Sequence, residues 1–180
     1  MELYDVIRLR KSIRSYDNSK SVEEEKIRYI LECAQRAPSW MNKQCWHFIV
    51  ITDREKILEV AKTDIINRWI KQAPVIIVGC ADPHLSGSRE GIDYYIVDTA
   101  IAMEHLILAA TDVGLGTCWI GAFNENKIKE LLEIPPRIRI VALTPVGYPK
   151  EETLSAKSRK LIVRSTKRRS LKEIIHWEKW

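Results

Sequence analysis

Apolar positions along the chain switch repeatedly between helical and strand-like spacing. Leu3, Val6, Ile7 and Arg10 predict a short first helix ending near Lys11-Ser12. Ser21 with Glu24 three residues on reads as a capping box, and Ile27, Ile30, Leu31 and Ala34 mark one face of the helix that follows. Pro38-Ser39 closes that helix, and Trp46 to Thr52 is a short β-branched and aromatic run that predicts a strand. Helix is expected again from Asp53 to Ala61, with more up to Gln72. Pro74 opens a second strand, Val75 to Cys80, and a loop rich in Asp, Pro, Gly and Ser runs from Asp82 to Gly91.

The longest helical segment is predicted from Ile92 to Val113. Ile96, Ala100, Met103, Ile107 and Ala110 form one stripe, while Ile101, Ala102, Leu106, Leu108 and Ala109 make most other faces apolar too. Such a helix belongs in a core or at a subunit interface. Gly114 and Gly116 end it. A third short strand is expected over Thr117 to Ile120, then a helix capped by Asn124 and running to Leu132, which Pro135-Pro136 terminates. The fourth strand is Arg137 to Val146, closed by Gly147-Tyr148-Pro149. Beyond Lys150 the chain turns polar and basic, with Leu161-Ile162-Val163 as a β-capable island. Ser170 and Glu173 form a capping box for a last helix through Ile174, Ile175 and Trp177.

This order predicts a mixed α+β domain over residues 1–150, with residues 151–180 as an extension of the same domain. The 180 residues suit one core, and at 46% hydrophobic and 29% charged the composition is that of a globular protein. An extension carrying Leu161-Ile162-Val163, Trp177 and Trp180 must bury those groups, and wrapping a partner subunit is one solution. No apolar run reaches the roughly 18 residues of a membrane helix. The acidic, amphipathic N-terminus lacks a signal-peptide pattern, so the expectation is a cytoplasmic protein. Cys33, Cys45, Cys80 and Cys118 form no CxxC pair, which favours buried thiols in a reducing compartment over a metal site.

The net charge of +5 is local. Eight bases and no acid fall between Lys157 and Lys172; the remaining 21 bases are outnumbered by the 24 acids. That segment is expected to face something anionic.

Four constellations could carry chemistry. Arg8-Leu9-Arg10-Lys11-Ser12-Ile13-Arg14 gathers cations and a hydroxyl where a helix gives way to extended chain, as a phosphate requires, although such runs also occur as solvated faces. Ala37 to Trp46 is a polar loop between tryptophans that could bond a heterocycle's edge and cover its face, or simply feed a strand. Gly114 to Phe123 has glycines on both sides of a strand, allowing close backbone approach to a ligand, but neither Rossmann nor P-loop spacing. Lys167-Arg168-Arg169 precedes the Ser170 cap, and alone it suits solvent or a nucleic-acid backbone as well as a small phosphate.

Taken in order, the four resemble the nitroreductase family of flavoproteins over nearly the whole chain. Arg10-Lys11-Ser12-Ile13-Arg14 matches that family's Arg-x-Ser-x-Arg/Lys opening, and Pro38 to Trp46 matches its Pro-Ser-x-x-Asn-x-Gln-Pro-Trp segment, with Cys45 in the place of proline. The Gly-Leu-Gly run, the Trp-Ile-Gly turn, the Pro-Val-Gly-Tyr-Pro strand end and the basic C-terminal tract recur as well. The stretch between Ala81 and Ile92 is short beside the helical insertion of larger members.

The resemblance implies a sandwich whose central, mostly antiparallel sheet is flanked by helices, with about four strands from its own chain, a C-terminal extension embracing a homodimer partner, and flavin mononucleotide (FMN) at the interface. It implies Arg10, Lys11, Ser12 and Arg14 on the FMN phosphate and ribityl chain, with Arg168 and Arg169 closing on the phosphate. Pro38, Ser39, Trp40 and Asn42 would form the flavin-contacting loop, much of it reaching the partner's flavin, and Trp119, Gly121 and Ala122 would line the ring. Arg14, and after it Lys71, would supply positive charge near flavin N1. The implied activity is hydride transfer by a ping-pong route from NADH or NADPH to a nitroaromatic, quinone or similar acceptor, with no general acid or base assigned. Rival readings are reductive dehalogenation or flavin breakdown on the same fold, flavin storage or sensing without turnover, and nucleic-acid binding through the basic tract.

Overall fold

The computed structural model describes residues 1–150 and 168–180, which fall in two units, Met1–Lys150 and Glu151–Trp180. In the first unit the elements are α1 (Leu3–Leu9), α2 (Glu24–Gln35), β1 (Trp46–Ile51), α3 (Arg54–Lys62), β2 (Val75–Ala81), the two-residue strands β3 (Ser88–Arg89) and β4 (Ile92–Asp93), α4 (Tyr94–Asp112), β5 (Gly116–Thr117), α5 (Glu125–Leu131) and β6 (Arg139–Gly147).

The centre of this unit is a four-stranded sheet in the order β1-β2-β6-β5, antiparallel throughout. All seven residues of β2 are buried. Alternation assigns them to two layers: Val75 and Ile77 join α2 and α4 on one face, while Ile76, Val78 and Cys80 join α3 and α5 on the other. A strand covered on both sides reads as an unbroken apolar run, which is how VIIVGCA reads. The unit is therefore an α+β sandwich, an antiparallel sheet flanked by helices.

Several local signals act as their chemistry dictates. The Asp53 side chain accepts from the Lys56 N–H and the Asn124 side chain from the Lys127 N–H, each capping its helix. Gly114, at φ +77°, takes the left-handed turn that ends α4. Ile27, Ile30 and Ala34 are the buried face of α2.

Other expectations need correction. The Ser21–Glu24 capping box does not form: the N-cap is Glu23, with no side-chain cap bond, and Glu24 pairs with Arg28 instead. The helix expected up to Gln72 is a 3₁₀ turn, Arg68–Gln72. The third strand is only Gly116–Thr117; Cys118 and Trp119 leave the ladder, and Ile120 returns to it through a single bridge to Leu143. Ile96, placed in the buried stripe of the long helix, is 47% exposed.

In the second unit the capping box of Ser170 and Glu173 is present but opens a 3₁₀ turn, Leu171–Glu173, not a helix through Trp177. The Glu173 carbonyl accepts from the Arg169 guanidinium at 2.8 Å. Leu161-Ile162-Val163 and the bases from Lys157 to Lys167 lie outside the described residues. No helix among the described residues is long and apolar enough to cross a membrane.

One ion cluster ties α5 to β6. The Glu125 carboxylate accepts two bonds from Arg139 (2.9 and 3.1 Å) and the Ile140 N–H (3.0 Å), with Lys129 at 3.1 Å. Burial works against its ionisation, but Arg139, the Ile140 N–H and Lys129 together outweigh that and hold its pKa at about 2. A depressed carboxyl pKa stabilises the fold fully above the ordinary value of 4.5 and loses that contribution as pH falls through 2. After allowance for solvent screening of the exposed Arg139, Glu125→Gln is expected to cost about 2 kcal/mol at neutral pH. Urea melts should show the gap between variant and parent closing between pH 5 and pH 2.

Candidate functional site

The segment after α1 runs beside β5. Ser12 bridges Thr117 in parallel, and the Ile13 N–H donates to the Thr117 carbonyl at 2.7 Å. The buried Tyr16 anchors the segment's far end, its hydroxyl donating to the carbonyls of Ile13 (2.8 Å) and Pro145 (3.3 Å). Arg10 and Arg14 are half-buried, and Lys11 and Ser12 exposed. Three of these residues act on Cys118: burial pushes its thiol up, while Arg14, Ser12 and Arg10 pull it back.

Ion pairing in the unit is uneven, and Arg36, Lys43, Lys56 and Lys62 are among the bases with no carboxylate within ion-pair distance among the described residues. Arg8, Lys20, Lys26, Arg28, Lys129, Arg137 and Arg139 each have a carboxylate within ion-pair distance. Among the described residues Arg10, Lys11 and Arg14 have none. Glu104 on α4 senses the field of Arg10 but forms no ion pair with it. Three cations thus follow one another along this segment with no ion-pair partner among the described residues, which suits an anion.

From Cys118 the chain leads directly to Trp119, Gly121 and Ala122, all exposed. A Cβ on Gly121 would meet only Trp119 Nε1, at 3.8 Å, so the space over this turn is open. The Gly121 N–H has no acceptor among the described residues. Asn67 holds the turn in place, its amide donating to the Ala122 carbonyl at 2.7 Å. Lys71 is exposed in the 3₁₀ turn that follows Asn67. The structure thus brings Arg10, Lys11, Ser12, Arg14, Trp119, Gly121 and Ala122 together along β5 and the edge of β6.

Pro38, Ser39, Trp40 and Asn42 lie elsewhere. Their loop feeds β1, at the opposite edge of the sheet, three strand spacings or about 14 Å away. Met41, Asn42 and Gln44 all have left-handed φ values, of 49, 55 and 50°. The Gln44 N–H donates to Ser39 Oγ at 3.0 Å, and the Trp40 N–H donates to the buried Asp98 carboxyl at 2.9 Å. The Trp40 indole lies 4.4 Å from the Tyr94 ring. Arg168 and Arg169 belong to the second unit, where Arg169 pairs with Glu173.

Comparison with known proteins places this arrangement. The Nitroreductase family model matches residues 7–66 and 56–148, covering both the cationic segment and the strained loop. The chain belongs to the nitroreductase family. Membership makes it an oxidoreductase of that class. A nitroreductase family protein from Clostridium novyi NT, known as a crystal structure, is 46% identical, with 84% of this chain and 87% of that one covered and a TM-score of 0.79. A protein of Archaeoglobus fulgidus, provisionally named an NADH dehydrogenase/NAD(P)H nitroreductase, is 36% identical over 155 residues, which are 84% of this chain and 87% of its own. An FMN-dependent nitroreductase from Clostridium difficile R20291 is 28% identical, with 97% and 98% covered and a TM-score of 0.78.

Two residues of this nitroreductase that hold the site together were missed by sequence reasoning. Asn67 carries no signal in the sequence. Asp98 does carry one, as an acid in the middle of an apolar helix, where burial demands partners.

Proposed function

We propose that this chain is an FMN-dependent oxidoreductase, active as a homodimer, which passes hydride from NADH or NADPH to a nitroaromatic, quinone or similar small acceptor by a ping-pong route. The observation that carries the reading is the group of Arg10, Lys11 and Arg14, without ion-pair partners among the described residues, beside an open glycine turn. A phosphate of nearly two charges fits the first, and a flat ring fits the second.

Bound FMN would supply the redox chemistry, accepting hydride at N5 and returning it to the acceptor. Arg10, Lys11, Ser12 and Arg14 hold the phosphate and ribityl chain, with Arg168 and Arg169 proposed to close on the phosphate from the C-terminal extension. Trp119, Gly121 and Ala122 would line the ring, and the Gly121 N–H, which has no acceptor among the described residues, would be the donor offered to N5. Arg14, with Lys71 as the second choice, provides positive charge towards N1, where it favours the anionic reduced form.

Pro38, Ser39, Trp40 and Asn42 sit at the other edge of the sheet, too far to line the same ring from the same chain. A second copy brings them there. Leu3, Tyr4 and Ile7 of α1 and Ile96 and Val97 of α4 are exposed apolar groups suited to that contact. The C-terminal extension is proposed to wrap the same partner.

Absorption spectroscopy of the purified protein is the direct test. Two flavin bands, with about one FMN released per chain on heating, are expected. A colourless protein that takes up no added FMN would overturn the reading.

A further inference from the structure

Asp98 is 2% exposed, in a helix whose other buried residues, Thr99 apart, are apolar. One carboxyl oxygen accepts the Trp40 N–H at 2.9 Å. The other accepts from Ser86 Oγ at 2.9 Å and lies 3.7 Å from Cys45 Sγ. Burial, and after it the field of Asp98, push the Cys45 thiol up, which keeps it protonated as a donor. A single buried acid therefore holds two separate surface segments: the loop 38–45 through Trp40 and Cys45, and the segment 82–91 through Ser86.

The same two segments also meet directly. Gly87 lies against the Trp40 indole so closely that a Cβ there would stand 2.5 Å from the ring. The Tyr94 ring, at the start of α4, backs the indole from another side. Three left-handed non-glycine residues among the four from Met41 to Gln44 make the loop costly to hold by itself, so its shape depends on anchors outside it.

We propose that Asp98 is a positioning residue: it clamps the segment 82–91 to the loop 38–45 as one rigid wall and, through that wall, sets which acceptors fit beside the flavin. The inference rests on the FMN enzyme reading, in which the loop borders the partner's ring. Cys45, in the place of the family's proline, adds a third donor that an imide ring cannot supply. In a chain with only a short stretch between Ala81 and Ile92, this clamp does the work of shaping the acceptor space.

Three variants separate the clamp from general stability. Asp98→Ala removes both acceptors. Gly87→Ala drives the indole away and leaves the carboxyl intact. Asp98→Asn keeps an oxygen for the Trp40 N–H and an amide that can donate to the Ser86 hydroxyl.

Amide hydrogen exchange on the flavin-free protein is expected to rise about tenfold or more in both segments at once for the first two variants, and to stay near the parent for Asp98→Asn. Exchange that rises in one segment only, or in neither, overturns the clamp. On the flavin-loaded dimers, the ratio of kcat/KM for a compact quinone to that for a bulky nitroaromatic should shift about fivefold or more in the same two variants and return in Asp98→Asn. A ratio that holds steady while exchange rises overturns the selectivity role. A parent protein that takes up no FMN strikes the functional reading beneath, and the exchange result still decides the clamp.

Discussion

Replacing Arg10 and Arg14 together with alanine is expected to weaken FMN binding by about two to four orders of magnitude, from about 1.5–3 kcal/mol for each charge-assisted contact. The effect is large because neither side chain has an internal partner among the described residues that could share the loss. The same fact gives the flavin-free protein the opposite sign. Removing two like charges from a crowded segment relieves repulsion and strands no carboxylate, so its melting temperature should hold or rise slightly. Fluorescence titration of FMN, set beside thermal melts without it, reads the two effects separately. Arg28→Ala, which breaks an exposed pair with Glu24 on α2, is the control and should leave affinity within about twofold. Affinity of the parent should also fall with added salt, and that slope should flatten in the double variant. A double variant that binds FMN as tightly as the parent would remove the anion-site argument.

What the sequence made legible follows the range of the interactions involved. β2 could be read because a strand buried on both faces leaves an unbroken apolar run, and the α5 cap because Asn124 needs only a neighbour three residues away. The Ser21–Glu24 pattern failed for a tertiary reason: Glu23, beside it, accepts from the Tyr148 hydroxyl at 2.6 Å, a partner 125 residues distant. The final capping box formed and opened only a 3₁₀ turn, since a cap satisfies the first turn of a helix and does not extend it.

The site divides in the same way. Arg10 to Arg14 are close together in sequence, and their chemistry shows in composition alone; that their charges lack partners among the described residues shows only in the fold. The loop from Pro38 to Cys45 was visible as polar chain between tryptophans. Nothing in Met41 or Gln44 announces a left-handed backbone, because neither residue type favours it. Asp98 lies among the apolar positions of α4. There the pattern itself was the signal, since an acid on a helix apolar nearly all round has to be satisfied from elsewhere.

The opposite-edge placement of the two groups leads to the sharpest expected result. One chain carrying Arg10→Ala and Arg14→Ala keeps its loop, and a second carrying Trp40→Ala and Asn42→Ala keeps its cationic segment. Each alone forms dimers in which every site lacks one group, so each should be nearly inactive. Mixed as unfolded chains and refolded together in equal amounts, they should pair at random. Half the dimers then contain one of each, and each such dimer has one site with both groups intact and one with neither. Turnover should return to about a quarter of the parent level, with about a quarter of the parent's tightly held FMN. If instead both groups serve a single site within one chain, every site in the mixture carries a defect and nothing is recovered. The two arrangements differ by all of the recovered activity, and the comparison needs no knowledge of the physiological acceptor, because any quinone that the parent reduces will report it.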